Sequence, residues 1–162
     1  MLKFLARFKL YRFLITTFIP SFSFYSRLTK EDYDLILSKI KDNDAILTRS
    51  RFALSSILVP GKYSHACDYY KENITEMVST GRRVIHILNL LFHSDYICIL
   101  RPPMEPDPDD NGFSRYDIYY SPKNNYSYCT EYVLSRRGIE LGNKIWLPDD
   151  LLKLGWEKVF EI

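Results

Sequence analysis

Paired cysteines are the first thing this chain lacks. It has three, Cys67, Cys98 and Cys129, and no CxxC spacing. An odd count at these separations fits neither a disulfide framework nor a zinc knuckle, and it points to a reducing compartment. Metal-ligand spacing is missing too. The three histidines, His65, His86 and His93, include no HExxH. A site built from them and Asp95 has no spacing to support it. No metal and no cofactor is expected. The uncharged run over residues 13–26 holds Pro20 and is short of the roughly 20 apolar residues that a spanning helix needs. Net charge is only +2, too little for a general nucleic-acid binder. There is no internal repeat and no low-complexity tract.

What is present is a chain of 162 residues, 46% hydrophobic, which suits one domain with a real core. The charge is unevenly placed. Residues 1–30 carry Lys3, Arg7, Lys9, Arg12, Arg27 and Lys30 and no acid, which leaves 16 basic against 20 acidic residues in the remainder. A basic, aromatic N-terminal helical arm over residues 1–42 is therefore expected ahead of a mildly acidic body over 43–162. Three roles suit the arm: a helix docked on the body, a peripheral membrane contact through residues 1–26, or an export signal. No small-x-small cleavage site comes after it. On a helix, Lys3 and Arg7 share a face while Lys9 and Arg12 do not, so it is no clean membrane amphipath. A cytoplasmic or peripheral-membrane location is expected, with export left open. Nothing in the sequence sets an oligomeric state.

The apolar periodicity predicts helix over 2–15, and Pro20 ends or bends any continuation of it. Thr29 and Asp32 form a weaker relative of the capping box, before Leu35, Ile36 and Ile40. Asn43-Asp44 turns the chain into a strand at 45–48. A helical turn over 51–58 stops at Pro60-Gly61. Strands are expected at 63–70, 73–77, 82–87 and 96–100, with a turn at 79–81 and a short helix or loop at 88–93. The acidic, proline-rich stretch 104–112 reads as an exposed loop. A helix over 130–137 stops at Gly138, and Leu147-Pro148-Asp149-Asp150 opens a last short one. This is an α+β pattern, a small antiparallel sheet with flanking helices.

Three residues draw attention as chemistry. Cys129 opens a helix after a polar loop. Free N–H groups and the helix dipole favour a thiolate there; a half-buried structural cysteine is the plain alternative. His65 comes after Ser64 on a strand, where it reads equally as a core histidine. His86 and His93 compete with it as a base. Alternation puts His65 and Cys67 on one face and Ala66 and Asp68 on the other. An imidazole base needs a partner for its second nitrogen. Glu76, on the next antiparallel strand, is the first candidate, with Asp68 and Glu72 as alternatives and a surface carboxylate as the plain reading.

In order along the chain stand Asn43-Asp44-Ala45-Ile46-Leu47, Ser64-His65-Ala66, Ile74-Thr75-Glu76-Met77, Leu100-Arg101-Pro102, Tyr116-Asp117, Tyr128-Cys129-Thr130-Glu131-Tyr132-Val133 and Leu147-Pro148-Asp149-Asp150-Leu151. This ordered set resembles the circularly permuted papain-like thiol hydrolases, the YiiX-like branch of the NlpC-type peptidase superfamily, related to the lecithin–retinol acyltransferase group. Asn43 stands where that family has glycine, and Met77 where it has a small residue. The stretch between Pro102 and Tyr116 is shorter and more acidic than in relatives.

The resemblance implies a permuted papain-like, NlpC-type fold and a Cys129-His65-Glu76 triad. Cys129 would attack a carbonyl carbon, His65 would carry the proton, and Glu76 would fix the ring. The Cys129 backbone N–H, with Tyr63 or Tyr128 as a further donor, would meet the oxyanion. Glu131 would fix the helix start. The expected partner is a peptide or an acyl or lipid amide, ester or thioester. An acyltransferase with the same thioester intermediate and a catalytically inactive binding module are the rival readings.

Overall fold

The computed structural model describes residues 26–51, 56, 59–78, 81–103, 129–139 and 146–162. The expected helix over 2–15, most of the turn over 51–58, Ser79-Thr80, the loop 104–112, Tyr116-Asp117 and Tyr128 lie outside the described residues. The described elements are α1 (Lys30–Lys39), β1 (Ala45–Arg49), β2 (His65–Tyr70), β3 (Asn73–Val78), β4 (Gly81–His86), α2 (Ile87–Phe92), β5 (Tyr96–Arg101), α3 (Cys129–Ser135), a 3-10 helix (Pro148–Lys153) and β6 (Glu157–Glu161).

The strands form one six-stranded antiparallel sheet in the order β4-β3-β2-β1-β5-β6, and with the helices this makes an α+β fold. Both faces are covered. Ile36 and Ile40 from and after α1, and Ile87, Leu90 and Leu91 of α2, pack with Ile46, Cys67, Ile74 and Ile99. Val133 and Leu134 of α3 and Leu151 of the 3-10 helix pack with Ala45, Leu47, Ala66, Cys98 and Leu100. Central strands covered on both faces read as unbroken apolar runs, which is why Ala45–Thr48 and Ile97–Leu100 are buried throughout. Leu28, Ile36 and Ile40, grouped with the basic arm by sequence, share this core with the sheet.

The local signals act as chemistry dictates. Thr29 Oγ1 accepts from the Asp32 N–H at 3.2 Å and Asp32 Oδ2 accepts from the Thr29 N–H at 2.8 Å, so Asp32 closes a full capping box. Asn43 is left-handed, with φ 73°. Glycine adopts that conformation freely, and asparagine more readily than other residues, so the backbone accepts asparagine at this turn. Lys71 and Glu72, both at positive φ, make the two-residue turn between β2 and β3. Gly138, at φ 64°, ends α3: its N–H reaches the Ser135 carbonyl and the Ile139 N–H the Leu134 carbonyl, a Schellman ending.

Segments that lie far apart in sequence meet in space. Arg101 at the end of β5 donates Nε and Nη2 to the two oxygens of buried Asp44, at 3.0 and 2.9 Å. Asp149 at the 3-10 helix accepts from the Lys62 and Tyr63 backbone N–H groups, at 2.6 and 2.8 Å, and so fixes the entry to β2. β6 has no counterpart among the strands expected from sequence. It is an edge strand of sequence Glu-Lys-Val-Phe-Glu with only Phe160 buried, and a lone buried side chain gives too weak an alternation to register.

Candidate active site

Cys129 is the first residue of α3, and His65 is the first residue of β2. Their meeting depends on how β2 and β3 part. Pairing of β2 with β3 ends at Cys67 and Glu76, whereas β3 continues alongside β4 as far as Val78 and Gly81. His65 and Ala66 are thus clear of β3. The Ala66 N–H is left for the Cys129 sulfur, which also interacts with the His65 ring. The buried Thr130 hydroxyl lies against the sulfur and lowers its pKa, without the alignment of a full hydrogen bond.

Glu76 completes the row. It stands directly across from Cys67, one pair along from His65, and its Oε2 is hydrogen-bonded to His65 Nε2. Nδ1 is then the ring nitrogen left for the thiol. Glu76 Oε1 accepts from Arg83 Nε at 2.6 Å. The carboxylate is only 2% exposed, while the His65 side chain is 24% exposed, so the ring is reachable from outside and its anchor is not.

The electrostatics come from these contacts. Burial pushes the Glu76 carboxyl up, but His65 and then Arg83 outweigh it and bring it down to about 2. Burial pulls His65 down, but Cys129 and then Glu76 carry it up to about 10. Burial pushes the Cys129 thiol up, yet the His65 charge and hydrogen bond, the Ala66 N–H and Thr130 bring it below the usual thiol range. Both shifts favour a thiolate facing an imidazolium. Cys67 and Cys98 go the other way. Burial first, then Glu76 and Asp68, holds Cys67 well above the usual value; burial and Glu161 push Cys98 to about 11.

The other candidates stand elsewhere. Asp68 turns to the opposite face and meets Arg136 and Arg137 after α3, at 3.3 and 2.7 Å; the shorter contact is ionic without hydrogen-bond alignment. Glu72 is solvent-exposed and 4.0 Å from His86. Neither reaches His65 in the way Glu76 does. His86 Nδ1 accepts from the Leu88 N–H and caps α2. His93 closes the same helix and stacks edge-on against Phe92. Asp95 accepts from the Arg51 N–H at 2.7 Å. Among the described residues, no group of three or more His, Cys, Asp or Glu is placed to hold a metal ion.

Tyr63 has other work. It is fully buried and its hydroxyl donates to Glu161 Oε1 on β6 at 2.8 Å. That bond ties β6 to the approach to β2 and commits the hydroxyl away from an oxyanion role. Glu131 stands in the first turn of α3, and Tyr128 lies outside the described residues. Arg83 is the member that sequence reading missed. The signal was available: a two-residue link between β3 and β4 fixes a register that sets Arg83 opposite Glu76.

Among the described residues no helix is long and apolar enough to cross a membrane. Comparison with protein-family models, with curated proteins and with solved structures finds no match.

Proposed function

We propose that this chain is a cysteine hydrolase that cleaves an amide, ester or thioester through Cys129, His65 and Glu76, on a permuted papain-like fold. One observation carries the reading. Of three cysteines, only Cys129 has its thiol pKa lowered, and the group that lowers it is an imidazole anchored by a buried carboxylate. A nucleophile, a base and an orienting group in hydrogen-bonded series are what acyl transfer requires.

The chemistry runs in two steps. The Cys129 thiolate attacks the carbonyl carbon, and the carbonyl π electrons move onto oxygen. The N–H of Cys129 starts a helix and has no partner within it, and it is the donor proposed for the oxyanion. When the oxyanion collapses, the bond to the leaving group breaks and the His65 imidazolium protonates that group, leaving an acyl thioester. His65, now neutral, takes a proton from water as the water attacks the thioester. Collapse releases the acid and restores the thiolate and imidazolium. Glu76 stays ionised throughout and holds the ring by Nε2.

The substrate is proposed to be a peptide or an acyl or lipid amide. The charge of +6 over residues 1–30 with no acid supports a peripheral contact of residues 1–26 with an anionic membrane surface; sedimentation with anionic but not neutral vesicles is the expected result. The deciding experiment offers peptide, lipid-amide and thioester electrophiles to the protein and reads the adduct by mass. The expected result is one acyl mass at Cys129, lost in Cys129→Ser and slowed in His65→Ala. Release with water marks a hydrolase, and transfer to an added amine marks the acyltransferase. No adduct from any electrophile would sink the catalytic reading and leave a binding module.

A further inference from the structure

We infer that Arg83 is a positioning residue of this site, pinning the Glu76 carboxylate in the orientation that aims the His65 ring at Cys129. The inference rests on the reading of Cys129 as nucleophile and deepens it. A carboxylate presents two oxygens on a plane that turns easily about its last torsion. Here each oxygen has its own partner: Oε2 the His65 ring and Oε1 Arg83 Nε, at 2.6 Å. Two partners on opposite oxygens stop that rotation, and an imidazole held by a fixed carboxylate keeps one tautomer and one tilt. The backbone register supplies the second partner, since Arg83 lies directly across β3 and β4 from Glu76.

The Arg83 side chain is 55% exposed, whereas Glu76 is 2% exposed. Arg83 lies on β4, one of the two edge strands of the sheet. Its removal leaves no buried cavity and costs little packing; what it removes is a restraint and a charge. The charged and titratable groups that face Glu76 are His65 and Cys67 of β2 and Arg83 of β4, and α3 brings Cys129 against the far side of the His65 ring. Loss of Arg83 acts on the thiol through Glu76. With Oε1 released the carboxylate is free to turn, and the imidazolium loses its fixed partner. That disfavours the thiolate.

The test is the rate of iodoacetamide alkylation at Cys129, resolved by mass, across about pH 4 to 10. The variants are Arg83→Met, Arg83→Lys, Glu76→Gln and the Glu76→Gln/Arg83→Met double. In Arg83→Met the acid limb moves to higher pH, so that alkylation on that limb slows by about tenfold. Arg83→Lys recovers most of the rate. In the Glu76→Gln background Arg83→Met adds nothing, because Arg83 acts through Glu76. A profile in Arg83→Met that superimposes on the wild type overturns the inference. So does an equal slowing in the Glu76→Gln background, or a large drop in melting temperature that accompanies the slowing and is not rescued by lysine. Wild-type Cys129 reacting no faster than Cys67 and Cys98 overturns the nucleophile itself, which separates the two failures.

Discussion

Glu76 lies between two cations, and this fixes how the site answers pH. Its folded pKa, about 2, lies below its ordinary 4.5. A depressed carboxyl contributes stability that is present above the unfolded value and lost as pH falls through the folded one. Melting temperature is therefore expected to fall between about pH 4.5 and pH 2, and Glu76→Gln to flatten that dependence. A Glu76→Gln protein with the wild-type acid profile would assign the acid limb to other carboxylates. His65 runs the opposite way. Its pKa is raised to about 10, so its contribution is complete below its unfolded value and is lost as pH rises toward 10. The thiols give a second residue-scale prediction. At neutral pH iodoacetamide modifies Cys129 well before buried Cys67 and Cys98, and His65→Ala slows Cys129 by about tenfold or more. Equal labelling of the three, read by peptide mass, would count against the ion pair. Cys129, His65 and Glu76 were each legible as candidates because helix starts, strand alternation and hairpins are local. Which carboxylate meets the ring was not. Asp68 and Glu72 are as near in sequence, and only the sheet turns Asp68 to the other face.

At the scale of elements, short loops carry much of the precision. Gly61, at φ 120°, brings the backbone against Asp149, and a Cβ there would stand 2.4 Å from Asp149 Oδ2. Gly61→Ala is expected to cost about 2–3 kcal/mol, since strain and displacement of Asp149 coincide. Urea denaturation measures this, and a change below about half a kcal/mol would show that the loop shifts freely. Asp44 and Arg101 tie the turn before β1 to the end of β5. Arg101→Met leaves the Asp44 carboxylate buried with only the Lys41 N–H, at 2.8 Å, as a described partner. A loss of about 3 kcal/mol is expected. Asp44→Asn in the same chain should recover part of it, because the stranded charge is then gone. No recovery in the double variant would place the cost in Arg101 packing instead. The start of α1 was legible from the Thr29 cap and the stop after α3 from Gly138, whereas α1 ends at Lys39, before the Asn43-Asp44 turn that the sequence offered as its break. The Leu147–Asp150 helix was legible as a helix but not as a 3-10 turn, because Asp150 accepting from the Leu147 N–H at 3.1 Å is compatible with either.

For the whole molecule, the covering of both sheet faces matters more than any one contact. It makes β1 and β5 continuous apolar runs, and it leaves β4 and β6 as the two edges. β6 shields β5 through paired bonds between Ile97 and Ile162 and through the Tyr63–Glu161 bond. Removing residues 157–162 would uncover the edge of β5 and strip Tyr63 of its acceptor. An exposed apolar edge strand invites pairing with another copy. The truncated chain is expected to elute as aggregate in gel filtration and to lose its cooperative melt. A monomeric, cooperatively melting truncation would show that β5 needs no cover.

The sequence by itself determined the α+β class, the short helix opening at Cys129, the two-residue hairpin that sets Glu76 near His65, and the lack of paired cysteines and metal spacings. These are properties of neighbours along the chain, governed by local propensity and by side-chain periods of 3.6 and 2. Only the tertiary structure decided that the His65 ring faces Cys129, that Tyr63 serves β6, that Arg83 holds Glu76 from behind, and that a sixth strand closes the sheet. Each of these depends on strand register and on where β2 parts from β3, which are set by packing between residues distant in sequence. The pKa of Cys129 belongs to that second group: it is lowered by a charge brought from 64 positions away, and no spacing along the chain encodes it.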